Sequence, residues 1–226
     1  DRLDVSVASL VAGLSAAIDT PLGPLFGGRR LADIAVSDRL AELDFDLPLG
    51  SSGPRVTPAH IGEVMLRTLH EADPQRAYAH QLADERFPIS LAGYLQGSID
   101  AVLRVPGADG EPRFVVVDYK TNRLHQPGDA QPLEAYHPDL LPAAMAHSDY
   151  PLQALLYSVA VHRYLRWRLP GYTPEVHLGG IGYFFLRGMV GPATPVHHGC
   201  PYGVFAWQPP AATVLGIHQL FVEGAS

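Results

Sequence analysis

Two runs rich in apolar and β-branched residues lie in the middle of the chain, residues 91–105 (LAGYLQGSIDAVLRV) and 113–121 (RFVVVDYKT), separated only by PGADGEP. Asp109-Gly110 within that link is a hairpin turn signal, so the two runs are expected to fold back on each other as antiparallel strands. With the loop centred on Asp109, residues facing each other have numbers summing to about 218, and 100 + 118 = 218 places Asp100 opposite Asp118. Directly opposed Cβ atoms are about 4.5–5.5 Å apart, and a one-residue change in loop length still leaves a diagonal pair within about 7–8 Å. Side chains alternate faces along a strand, so Asp118 and Lys120 point the same way.

The expected product is two carboxylates and one ammonium on one face of otherwise apolar strands. Two like charges brought together destabilise a sheet unless a proton or a cation sits between them. A hard divalent cation with oxygen ligands resolves the conflict, and Mg²⁺ typically takes one or two carboxylates plus waters and phosphate oxygens. The bland reading of Asp118 and Lys120 is a surface ion pair contributing about 0–1 kcal/mol. Composition weighs against it. Of the 16 basic residues 15 are Arg, and Lys120 is the one lysine of the chain. Where Arg has filled nearly every basic position, a single ammonium opposite two carboxylates points to chemistry.

Elsewhere the sequence reads as helices enclosing strands. Apolar residues fall at helical spacing over 5–18, a Pro/Gly-rich loop follows over 21–28, and residues 42–49 (ELDFDLPL) alternate as a strand with one buried face. Residues 51–54 read as a loop. Thr57 and Pro58 then have the order of an N-cap and a first helical residue for a helix over 58–69. Residues 148–168 read as a long helix with Pro151 tolerated in its first turn, 179–186 (GGIGYFFL) as an apolar strand, and the stretch after Gly188 as turn-rich. The fold class expected is α/β, a central mixed β-sheet flanked by helices. The expected organisation is one domain over 1–226: a helical lead-in with one strand over 1–90, a catalytic core over 91–190 and a turn-rich tail over 191–226.

Several classes are disfavoured. No stretch resembles a membrane span or a signal peptide. A formal net charge of −7 is unlike a free-standing DNA-binding protein, which usually carries a basic face. Cys200 is the single cysteine, so no intrachain disulfide forms, which is compatible with a reducing compartment and a cytoplasmic location. Cys200 follows His197 and His198, which invites a zinc reading. No second Cys or His group stands at ligand spacing in the sequence, and the stretch reads as an ordinary loop. A two-carboxylate glycosidase fits poorly, because it needs an acid and a base flanking a sugar rather than an adjacent lysine. No G-x-x-x-x-G-K-[ST] phosphate loop occurs.

The order GSID (97–100), DYK (118–120) and QALLY (153–157) resembles the PD-(D/E)XK nucleases, and within them the RecB branch with its G-x-x-D strand, D-Y-K strand and Q-x-x-x-Y helix. The likeness extends over YPLQALLYSVAVHRYLRWRL, GGIGYFFLRGM and ELDFDLPL, from about residue 38 to 222. The resemblance implies a Mg²⁺-dependent DNA exonuclease domain within a helicase–nuclease that processes double-strand ends. Asp100 and Asp118 would be metal ligands with the backbone carbonyl of Tyr119, and Lys120 would orient or deprotonate the attacking water. Gln153 and Tyr157, four apart and so on one helix face, would stand beside the site. It further implies RecC- and RecD-type partner subunits, contact with the recombinase RecA, and ATP used by a helicase region outside this chain.

The family also supplies a metal-binding His from a helix preceding these motifs, and the chain reads as beginning just after it. His60, although Glu63 follows on its helix face, lies after the ELDFDLPL strand and is out of order for that role; His70 and His80 have no better claim. A fragment without that His would be nearly inactive alone, and the alternative function is then a catalytically silent module that recruits RecA or partner subunits. Asn122, Arg123 and Arg187 lie near the motifs but read equally well as solvated turn residues.

Overall fold

The computed structural model describes residues 6–49, 55–84 and 93–224. Strands β1 (Arg39–Pro48), β2 (Tyr94–Pro106), β3 (Pro112–Lys120), β4 (Leu178–Phe185) and β7 (Val204–Trp207) form one sheet in the order β1-β2-β3-β4-β7. All neighbours are antiparallel except β3 and β4. A parallel pair needs a long crossover, and here it is made by α4 (Leu141–His147), α5 (Tyr150–Arg168) and α6 (Pro174–His177). Two-residue strands β5 (Val196–His197) and β6 (Cys200–Pro201) form a separate hairpin. The expected α/β class with a mixed sheet is what the chain adopts.

Each face of the sheet is covered. On one, α2 (Pro58–Thr68), α3 (Arg76–Ala83), α5 and α7 (Ala211–Glu223) bury Ile61, Met65, Leu82, Leu155, Val159, Ile217 and Phe221 against Val102, Val116, Ile181 and Tyr183. On the other, Ala17 of α1 (Val7–Asp19), Leu22, Phe26, Leu31 and Ile34 pack on Leu103, Val115, Val117 and Phe184. Helix α5 packs into the larger core through Ala154, Leu155, Ser158, Val159, Ala160, Val161, His162 and Leu165, all buried, and its last turn, residues 166–168, is exposed.

Helix α2 begins at Pro58 with Thr57 as its cap residue, as the sequence indicates. Where α2 crosses α3, Gly62 permits backbone contact: a Cβ there would lie 2.8 Å from Ala83 Cα and 2.9 Å from Ala79 O. Both are main-chain atoms that cannot swing aside. Gly62→Ala is therefore expected to cost about 1–3 kcal/mol, seen as a lowered urea midpoint with an unchanged slope.

His162 is buried on α5 and shares a hydrogen bond between its Nδ1 and Tyr172 OH (2.9 Å), with His218 4.9 Å away ring to ring. Burial, then the charges of His218, Arg166 and Arg163, holds its pKa down at about 4 against an ordinary 6.5. Between those values the unfolded chain binds more protons than the folded one, so stability falls as pH drops from about 6.5 to about 4. His162→Gln should flatten that slope in thermal melts taken across the window.

The structure departs from the sequence reading in three places. The stretch after Gly188 is not merely turns: it contributes β7 to the sheet and the 13-residue helix α7 to the core. Residues 197–200, read as a loop, are the tip of the β5–β6 hairpin, whose turn places His198 (φ +48) and Gly199 (φ +80) in the left-handed region. Finally, β1 and β2 do not alternate simply. Leu95 and Ile99 belong to the larger core, whereas Ala101, Leu103 and Val105 belong to the smaller one on the opposite face. The alternation slips at Asp100, across from Glu42, a non-glycine residue at φ +53. Residues 51–54, and the first two residues of the strand expected over 91–105, lie outside the described residues.

Candidate active site

The site is built at the carboxyl end of β3, where the sheet meets the first turns of α5. The β2–β3 ladder runs from Pro106↔Pro112 to Ala101↔Val117, which is the register whose numbers sum to 218. It stops there. At the next position Asp100 and Asp118 would be partners, but Asp100 instead turns its carboxylate into the ladder, where Oδ2 accepts the Tyr119 N–H at 2.8 Å. On its other side the pairing with β1 is interrupted at Glu42. Asp100 thus sits where the sheet is opened on both flanks, and the positive φ of Glu42 is local strain of the kind that gathers at functional sites.

Asp118 and Lys120 share a face, as alternation requires. Asp118 is only 4% exposed. Its Oδ2 lies 2.6 Å from Lys120 Nζ as an ion pair, yet this buried oxygen accepts no hydrogen bond of good geometry. Burial pushes the Asp118 carboxyl up from its ordinary value and the charge of Asp100 adds to that, while Lys120 pulls it down. Asp100 is thus among the charges that Asp118 feels, after burial and Lys120.

Helix α5 supplies the opposite wall. Gln153 Oε1 accepts from Lys120 Nζ at 3.4 Å and from Tyr183 OH at 2.9 Å, while Gln153 Nε2 donates to Tyr157 OH at 2.9 Å. Gln153 and Tyr157 therefore face the carboxylates together. Phe45 of β1 meets the Tyr157 ring edge-on, with centroids 5.7 Å apart. Phe45 is also the cross-strand partner of Gly97, where a Cβ would come 2.7 Å from the ring tip. The glycine of GSID leaves room for the ring that backs Tyr157.

Sequence reasoning missed two site residues. Lys120 Nζ stands 4.0 Å from the centroid of the Tyr150 ring and 5.1 Å from that of Tyr183. These aromatic faces hold the ammonium by cation–π attraction, and Tyr183 OH fixes Gln153. Tyr150 was findable, since it precedes Gln153 by three and Tyr157 by seven on the same helical stripe. Tyr183 was findable only from the β3–β4 pairing, which sets it beside Asp118.

The histidines set aside in the sequence stay outside this constellation. His60 Nδ1 accepts the Thr57 N–H (3.0 Å) and closes the start of α2, and His70 Nδ1 accepts the Ala72 N–H (3.2 Å). Arg187 Nε donates to Thr121 O (2.8 Å), tying down the residue after Lys120.

A pair of carboxylates, one of them buried with an oxygen lacking an aligned donor, fits a hard divalent cation. Residues 29–199 match the PD-(D/E)XK nuclease superfamily. The chain belongs to that superfamily. PD-(D/E)XK nucleases use divalent metals. Among PD-(D/E)XK relatives, the chain is 47% identical over 223 residues to the RecBCD enzyme subunit RecB of Mycolicibacterium smegmatis, covering 96% of this chain and 20% of that protein. It is likewise 47% identical over 232 residues to the RecB of Mycobacterium tuberculosis, covering 98% and 20%. The Escherichia coli RecB is 31% identical over 180 residues, covering 80% and 13%. The chain thus spans about a fifth or less of the length of these relatives. Among the described residues no helix is long and apolar enough to cross a membrane.

Proposed function

We propose that this PD-(D/E)XK domain hydrolyses DNA phosphodiester bonds with Mg²⁺, as the nuclease part of a RecB-type helicase–nuclease acting on double-strand ends in recombinational repair. The observation that carries the proposal is the convergence of Asp100, Asp118 and Lys120, with Asp118 Oδ2 buried and unaligned to any hydrogen-bond donor.

Asp100 and Asp118 would hold the ion, with the Tyr119 carbonyl as a third ligand. Bound Mg²⁺ supplies Lewis acidity toward the phosphate and a more acidic water. Lys120, held between Asp118, Gln153 and two tyrosine rings, presents a compact ammonium that orients the attacking water and stabilises charge on the phosphate. Gln153 keeps Lys120 and Tyr157 in place and meets the DNA backbone together with Tyr157.

The chain's net charge of −7 suits a domain that receives DNA from a larger assembly. The relatives' designation as a subunit of RecBCD supports that reading. RecC- and RecD-type partners, RecA recruitment and ATP use by a helicase region belong to the same proposal. It is tested by Mg²⁺-dependent degradation of linear duplex in the full-length protein, comparing the unmodified enzyme with Asp118 and Lys120 variants. Undiminished degradation in both would remove it.

A further inference from the structure

A second group of ligand-type side chains lies away from the sheet carboxylates. His137 and Asp139 come from the segment between Lys120 and α4, and His197 from the β5–β6 hairpin, 58 to 60 positions further on. One ligand atom from each lies within 4.8 Å of the others. Asp139 Oδ2 is 3.4 Å from His197 Nε2 and 3.8 Å from His137 Nδ1. Two ligands bonded at about 2.0–2.1 Å to a tetrahedral ion are about 3.3–3.4 Å apart, so Asp139 and His197 already have that spacing, while His137 Nδ1, which accepts the Asp139 N–H at 3.2 Å, would exchange that bond for the ion. The His137 and His197 rings pack with centroids 4.5 Å apart. Two imidazoles that close repel when both are protonated, and are compatible when both are neutral and share a cation. Cys200 stands opposite His197 in the hairpin, but its sulfur is outside the group.

We propose that His137, Asp139 and His197 form a second metal site for a borderline transition-metal ion of the Zn²⁺ class, with water in the fourth position. Two nitrogen ligands and one carboxylate select such an ion over Mg²⁺, which prefers oxygen donors throughout. The site braces the segment that follows the D-Y-K strand. His137 packs on Tyr202 (4.9 Å), Tyr202 OH donates to Glu134 (3.4 Å), the Gly203 N–H donates to Tyr136 O (2.9 Å), and Tyr136 OH accepts the Leu124 N–H (3.3 Å). An ion joining His197 to His137 and Asp139 would lock the hairpin to that chain of contacts. The proposal stands independently of nuclease activity.

The test is zinc stoichiometry of the tag-free chain, stripped of metal and dialysed against Zn²⁺ with Mg²⁺ in excess. One equivalent is expected. It should be lost in His197→Gln and His137→Gln and kept in Asp118→Asn. Asp139→Asn alters a side chain that is 70% exposed, so the fold is not at risk, and weaker zinc binding is expected. No zinc on the unmodified chain, an undiminished equivalent in all three variants at this cluster, or loss in Asp118→Asn would each overturn the proposal. Circular dichroism of the variants identifies any that fail to fold, and Asp139→Asn then decides.

Discussion

Asp118→Asn in the full-length protein is expected to reduce metal-dependent DNA degradation by roughly 10²–10³-fold or more, the loss typical when one electrostatic contact to developing charge is removed. Asn keeps the shape and one oxygen but removes the charge that would bind the ion. The same change should not destabilise the metal-free domain and is expected to raise its melting temperature above neutral pH. Burial and Asp100 push the Asp118 carboxyl up despite Lys120. A carboxyl with a folded pKa above its unfolded value takes up protons on folding, so its contribution becomes less favourable as pH rises from the unfolded value of 3.8 through the folded one. Above that range the metal-free protein carries the whole cost, and Asn removes it. Opposite movement of activity and stability is the mark of a residue kept for function. Activity assays and thermal melts of the same protein read both.

Lys120→Arg is the second large effect, a loss of about 10²–10³-fold with the fold intact. Charge is conserved, and Tyr150 offers a face on which a guanidinium can stack. What is lost is compactness and the ability to give up a proton. Nζ stands 2.6 Å from Asp118 Oδ2 and 3.4 Å from Gln153 Oε1, a space that a planar fork overfills. An arginine that restores activity would show that positive charge alone suffices. The composition gives the experiment its interest, since Arg occupies the other 15 basic positions.

Much of this arrangement was legible in the sequence because it depends on local rules. The turn at Asp109-Gly110 sets a register that holds as far as Ala101↔Val117, one position short of Asp100 and Asp118, and alternation aligns Asp118 with Lys120. Helical spacing likewise puts Gln153 and Tyr157 on one face, and their side chains do bond to each other. What alternation could not show is the slip at Asp100. It falls across from a left-handed Glu42 on the neighbouring strand, and there a carboxylate that caps the Tyr119 N–H replaces the expected cross-strand carboxylate pair. The aromatic faces around Lys120 come from α5 and β4, which meet β3 only through the crossover. The turn signals after Gly188 concealed β7 and α7, whose burial depends on β4 and α2, through Ile181↔Trp207 and the Thr68–Thr213 hydroxyl contact at 2.8 Å. For the same reason the sequence reading set His197 beside His198 and Cys200 and gave it no partner at residue 137. The proximity of His137 and His197 is a product of long-range folding rather than of spacing.

The claim on which the account rests is that Asp100 and Asp118 bind one divalent ion together. Calorimetric titration of the chain with Mg²⁺, in the unmodified protein and in Asp100→Ala, tests it most directly. The account predicts a site in the unmodified chain that disappears in the variant. Equal heats and equal affinity in the two proteins would contradict it.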